Sequence, residues 1–171
     1  MARLRFFFLL ALPLLAAGDV GALPPGSSRA REAYALCRLA EQTSADGRVE
    51  LLTRGIELAE AALAADRNDA LAHFALFCNL GRRVQSEGVT FGGALATYRA
   101  LRAIDTALEL APDDPDVVAA KGVLLLQLPA VLGGDEERGE QCLRRALTID
   151  PNHGSARGYL DEALARRGVA D

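Results

Sequence analysis

The chain has 171 residues, with 19 Lys and Arg against 23 Asp and Glu, half of its residues apolar, no Trp and few other aromatics. One domain with a sizeable core fits that length, and the dominance of Ala and Leu over Val, Ile and aromatics favours helices over strands, giving an all-α expectation. Basic residues cluster no further than pairs such as Arg82-Arg83, Arg144-Arg145 and Arg166-Arg167, which argues against nucleic acid or an anionic membrane as partner.

Residues 1–22, MARLRFFFLLALPLLAAGDVGA, place Arg3 and Arg5 ahead of an apolar run from Phe6 to Ala17. That run is too short to span a bilayer comfortably and small residues follow it, the pattern of a cleaved secretory signal peptide. Cleavage after Gly18 or after Ala22 leaves small residues where a signal peptidase needs them, and an uncleaved anchor helix is the alternative. Removing residues 1–18 takes two Arg and no acid, so 19 against 23 becomes 17 against 23. The first Cys, Cys37, falls inside a predicted helix, which speaks against a lipid-anchored N-terminus. A periplasmic or secreted protein without stable membrane insertion after cleavage is expected, with residues 23–30 as a linker and 31–168 as the folded domain.

Three later segments align with one another: RGIELAEAALAADRND, RALRAIDTALELAPDD and RGEQCLRRALTIDPNH. Gly55, Ala59 and Ala62 lead to Arg67; Ala100, Ile104 and Ala107 lead to Pro112; Gly139, Leu143 and Ala146 lead to Pro151. Steps of three and four keep each set on one helix face, where small side chains let a neighbouring helix approach. After each terminator the chain restarts. Asn68-Asp69, Asp113-Asp114-Pro115 and Asn152-His153 supply N-cap oxygens and one early proline for helices expected over Ala70–Arg83, Asp116–Leu128 and Ser155–Arg167. The repeats run over 31–67, 70–112 and 115–151, followed by an amphipathic capping helix over 154–168.

The spacing from Arg67 to Pro112 is 45 residues and from Pro112 to Pro151 is 39. The surplus over a short helical hairpin is expected in the turns between paired helices. In PAVLGGDEERGEQCLRR, Val131 and Leu132 would cover the end of the core, Gly133-Gly134 would permit positive φ, and Asp135 would cap a helix opening with Glu136-Glu137. Phe91-Gly92-Gly93 after QSEGVT, and SADG from Ser44 to Gly47, would be the counterparts in the other two repeats.

Val118, Lys121, Gly122 and Leu125, followed by the second-helix spacing of Ala100 to Pro112 and Gly139 to Pro151, resemble the tetratricopeptide repeat over roughly residues 31–168. The aromatic expected early in each first helix is replaced by His73 and Val118, and Arg67 stands where the first repeat would end in proline. Leu128-Pro129, Leu132-Gly133-Gly134-Asp135 and Arg144-Arg145-Ala146-Leu147 are similar to the T component of tripartite ATP-independent periplasmic transporters. The resemblance implies an α-solenoid of about three repeats that binds partners on a concave surface of first helices. Leu71, Phe74, Cys78 and Arg82 would face that groove from the second repeat, with Asp116, Ala119, Val123 and Leu126 from the third. Such a groove is mostly apolar, suiting a protein or peptide partner or, as the transporter resemblance implies, an apolar small molecule.

The sequence holds no P-loop, GxGxxG, HExxH, GxSxG or CxxC, and its two His, His73 and His153, are far apart in the chain. A non-catalytic scaffold without cofactor or metal is expected. Cys37, Cys78 and Cys142 each lie in apolar helical context and read as buried small hydrophobes, with a Cys37–Cys78 disulfide across neighbouring first helices as the alternative. Asn79 is the one polar residue of HFALFCNLG that could lie inside.

Overall fold

The computed structural model describes residues 23–87 and 91–168, side chains at positions 46, 87, 91 and 92 excepted. The expected signal peptide lies outside the described residues. Within them the chain is all-α: α1 (Ser28–Gln42), α2 (Ala45–Ala65), α3 (Ala70–Glu87), α4 (Phe91–Leu110), α5 (Pro115–Gln127), α6 (Glu136–Ile149) and α7 (Gly154–Arg166), with a 3-10 turn at Ala130–Leu132. Each helix packs on the next, and α1 also packs on α3 and α5 on α7. Three helical hairpins therefore stack in chain order and α7 closes the series. None of the helices among the described residues is long and apolar enough to cross a membrane.

Side-chain caps set the helix starts. The Ala30 N–H donates to Ser27 Oγ at 3.2 Å, and the Ala72 N–H to Asp69 Oδ1 at 2.8 Å. The Val117 N–H donates to Asp114 Oδ1 at 3.0 Å, with Pro115 in the first turn where its missing N–H costs nothing. The Arg138 N–H reaches Asp135 Oδ1 at 3.0 Å, and Glu136 and Glu137 complement the positive end of the α6 dipole. At α7 the expected cap oxygen is replaced by a ring nitrogen, His153 Nδ1, which accepts from the Ala156 N–H at 3.1 Å.

All nine aligned positions of the second helices are buried: Gly55, Ala59 and Ala62 on α2, Ala100, Ile104 and Ala107 on α4, Gly139, Leu143 and Ala146 on α6. They feed three adjoining clusters. Ile56, Ala59, Leu76, Leu80 and Ala103 join α2, α3 and α4; Ala62, Leu71, Phe74, Ile104 and Val117 continue into α5; Val118, Leu143, Ala146, Ala156 and Leu160 join α5, α6 and α7. Small residues let backbones approach closely. A Cβ added to Gly122 would lie 2.9 Å from the Gly139 carbonyl oxygen, and one added to Gly139 would lie 3.0 Å from that of Gly122. Asn79 is inside, its Nδ2 donating to the Ala33 carbonyl at 3.0 Å and the Ala75 carbonyl at 2.8 Å, and a Cβ on Gly55 would strike it.

The surplus length is distributed differently from the expectation. Among the described residues, the third hairpin carries it in a turn. The second absorbs it in its helices: α3 runs through Val84–Glu87, and Phe91-Gly92-Gly93 opens α4 instead of forming the turn. In the first, Ala45–Gly47 already belong to α2, leaving Thr43 and Ser44 as the connection. The turn before α6 also departs in detail. Gly133 has φ 91°, but Gly134 is required for space, since a Cβ there would lie 1.7 Å from the Leu128 carbonyl oxygen. Hydrogen bonds from Leu132 and Gly134 N–H to the Pro129 carbonyl, at 2.8 and 3.1 Å, wind the turn tightly. Val131 and Leu132 consequently point outward and do not cover the core.

The expected linker is ordered into the fold. Helix α1 begins at Ser28, Pro24 is buried and Leu23 packs on the core. The Leu71 N–H donates to the Pro25 carbonyl at 3.3 Å, and the Ser27 N–H to Asp69 Oδ2 at 2.9 Å. One buried carboxylate, Asp69, thus caps α3 and holds the segment before α1.

The glycine contacts give opposite expectations at two sites. Gly122→Ala should lower stability by about 1–3 kcal/mol, because the α5–α6 backbones must separate. Gly158→Ala on α7, whose Cβ meets nothing within 4 Å, should raise it by about 0.5–1 kcal/mol through helix propensity. Urea denaturation of the two variants checks both signs.

Candidate functional site

The residues expected in an apolar groove are mostly core. Leu71, Phe74, Ala119 and Leu126 are buried, because α3 and α5 are covered by neighbours on more than one side. Val123 is half-buried against the α5–α7 cluster. Cys78 is bonded to Cys37 with Cα atoms 6.1 Å apart, so the reading of all three Cys as free hydrophobes is corrected for this pair. Cys142 keeps a free thiol, and burial pushes its pKa up. Of the expected groove residues, Arg82 and Asp116 take part in the polar arrangement that does occupy the first-helix face.

That arrangement starts on α1. Tyr34, Arg38 and Glu41 follow one another at steps of four and three, so they share one face, while Ala30, Ala33, Cys37 and Ala40 on the adjoining face are buried. Across from them on α3, the Arg82 guanidinium bonds Glu41, with side chains only 18% and 14% exposed. The disulfide sits one helical turn before Arg82 and next to Arg38 in sequence, fixing α1 and α3 in the register this ion pair needs. Burial works against the charge of Arg82, and Glu41 is the first influence restoring it. Its Nε is buried with no hydrogen-bond partner among the described residues.

Aromatic rings carry the face inward. Tyr34 stacks on Phe74 at 5.3 Å between centroids, and Phe74 on Phe77 at 6.4 Å. Burial pushes the Tyr34 phenol up to about 12, helped by the negative charge of Asp116 on α5 and opposed by Arg38. Helix α7 contributes Tyr159, whose phenol is likewise raised by burial and drawn down by Arg82, with Gln127 of α5 beside it. Its hydroxyl is buried, with the side chain of Gln127 as its hydrogen-bonding neighbour. Asp116 also meets His153, with Oδ1 and Nε2 3.1 Å apart. Both tyrosines stay protonated near neutrality, so the face offers hydrogen bonds, ring surface and one desolvated ion pair.

Four first-series helices thus converge on one polar and aromatic face. Among the described residues no group of three or more His, Cys, Asp or Glu is arranged to hold a metal. An open depression of about 510 Å³ lies elsewhere, between Gly26, Arg29, Ala62, Asp66 and Asn68, at the start of α1 and the α2–α3 turn. Tyr34, Arg38 and Glu41 escape a repeat-based reading because α1 has no aligned signature. Their common spacing beside the Ala- and Cys-lined buried face of α1 is the signal that marks them.

No protein-family model and no curated protein matches this chain.

Two measurements probe the face. Removing the disulfide as Cys37→Ser with Cys78→Ser opens a loop of sequence separation 41, which should cost about 4 kcal/mol in denaturant-measured stability on chain-entropy grounds. In alkaline titration, tyrosinate absorbance should show a late step near pH 12 that disappears in Tyr34→Phe. The raised folded pKa means that Tyr34 supports the fold fully below its ordinary value near 10, and that this support is lost as pH climbs from there to about 12.

Proposed function

We propose that the chain is an exported, non-catalytic scaffold of the tetratricopeptide kind, holding a peptide segment of a partner protein against its first-helix face. The observation that carries this reading is the Arg82 guanidinium, desolvated against Glu41 with its Nε unpaired among the described residues, beside the Tyr159 phenol on a face shared by four helices. Unpaired buried donors are costly. A peptide backbone, with its regular carbonyl acceptors, can pair with the Arg82 guanidinium and the Tyr159 hydroxyl where side chains on this face move to admit it, whereas an apolar molecule cannot. The ring surface of Tyr34 and Phe77 supplies the apolar part of such contacts.

Support for the repeat assignment comes from the buried small-residue faces of α2, α4 and α6 and from the stacking of first helices α1 on α3 and α5 on α7. Support for export comes from the charged and apolar pattern of residues 1–22 and from the Cys37–Cys78 bond, since disulfides persist in oxidising compartments.

Peptides selected from a random display library on the oxidised protein should shift amide resonances of α1, α3 and α7 around Arg82 and Tyr159. Arg82→Gln with Tyr159→Phe should weaken the selected peptides at least tenfold, about 1.4 kcal/mol, while Glu60→Gln on α2 leaves them unchanged. Shifts confined to α2, α4 and α6, or equal affinity in the double variant, would reject the proposal.

A further inference from the structure

His153 does two jobs with one ring. It stands just before α7 and its Nδ1 caps that helix, accepting the Ala156 N–H at 3.1 Å. Its Nε2 lies 3.1 Å from Asp116 Oδ1 on α5. These two contacts fix the tautomer. An acceptor nitrogen carries no proton, so in the neutral ring the proton is on Nε2 and is donated to the carboxylate.

A second proton has only Nδ1 to go to. There it would face the Ala156 N–H donor to donor, and the new positive charge would sit at the positive end of the α7 dipole. The Nε2 bond to Asp116, by contrast, becomes charge-assisted and stronger. Protonation therefore separates two functions that the neutral ring combines: the tie between α7 and α5 is kept, and the cap on the first turn of α7 is lost. We propose that His153 is a proton-operated cap that holds the first turn of α7 when neutral and releases it, still tethered to Asp116, when charged.

The surroundings put this event within reach of mild acid. Asp116 of α5 and Asp114, the N-cap just before it, face the ring, as does Asp150 just after α6. Arg157, one turn into α7, has a guanidinium nitrogen donating to the Pro151 carbonyl at 2.7 Å. The hydrogen bond to Asp116 raises the His153 pKa above its ordinary value of 6.5, against the opposing effect of burial. For the whole fold the sign is favourable to acid: the contribution of the charged ring is present below the ordinary value and fades as pH rises through the raised one. For the first turn of α7 the sign is reversed. Tyr159 follows that turn, so the proton would also loosen one side of the first-helix face; that consequence rests on the binding reading above, whereas the cap itself does not.

The test reads the cap directly by NMR of the oxidised full chain. At high pH the His153 ring should be the tautomer with bare Nδ1. As the ring titrates, with a midpoint above 6.5, the Ala156 amide should exchange about fivefold faster after correction for the intrinsic pH dependence, the worth of one N-cap. His153→Asn keeps a cap acceptor that does not titrate and should remove the pH dependence, and Asp116→Asn should lower the His153 midpoint. A ring protonated on Nδ1 at high pH, an Ala156 amide indifferent to the titration, or the same pH dependence in His153→Asn would each overturn the proposal. Peptide binding enters none of these readouts, so failure of the binding reading and failure of the cap are distinguishable.

Discussion

Close approach of helices over glycine and alanine is the constraint from which the rest of this structure follows. Alanines are interleaved with leucines throughout the buried core, so it depends on many short contacts between helices. Gly122 and Gly139 bring α5 and α6 together at their backbones, and Gly55 leaves room for the Asn79 side chain. With the helices this near, residues on the first helices of successive hairpins reach one another. Tyr34, Arg82 and Tyr159 come from three different helices and yet influence one another's charge.

The same closeness explains the polar character of the first-helix face. A helix that packs on two or three neighbours has little surface left, and its polar residues are drawn to the edge of the packed face. On α1 that edge is Tyr34, Arg38 and Glu41, beside the exposed stripe of Arg31, Glu32, Ala35, Leu39 and Gln42; on α3 it ends in Arg82. Their burial comes from the helices beside them, Tyr34 and Tyr159 packing on the apolar clusters and Arg82 on Glu41, which is how an ion pair and two phenols come to be desolvated there.

Much of the architecture was legible in the sequence because it depends on local or periodic signals. The aligned small residues of α2, α4 and α6 are all buried, and Asp69, Asp114 and Asp135 act as the caps their positions suggested. The face was not legible. A helical wheel shows which residues of α3 share a side, but neighbours decide whether that side is core or surface, and Leu71 and Phe74 fell on the core side. Helix ends were misjudged where polar residues such as Gln85 and Ser86 extend α3 with no stop signal. The His153 cap was hidden because caps are read as oxygens, and the disulfide stood only as the alternative because Cys37 and Cys78 are also ordinary core residues by composition.

The N-terminal hairpin is fastened to the second one at both ends of α1. Near its start, the Ser27 N–H meets Asp69 and the Pro25 carbonyl meets the Leu71 N–H; near its end, Cys37 is covalently joined to Cys78. Stacked helical repeats ordinarily fray from either terminus, each outer unit being held by one neighbour alone. Here the two termini are unequal. The α7 end is kept by noncovalent packing, the His153–Asp116 contact and the ion pair between Arg167 and Glu140, so the stack has a built-in direction of unravelling, opening from its C-terminal side while the disulfide-bound end holds.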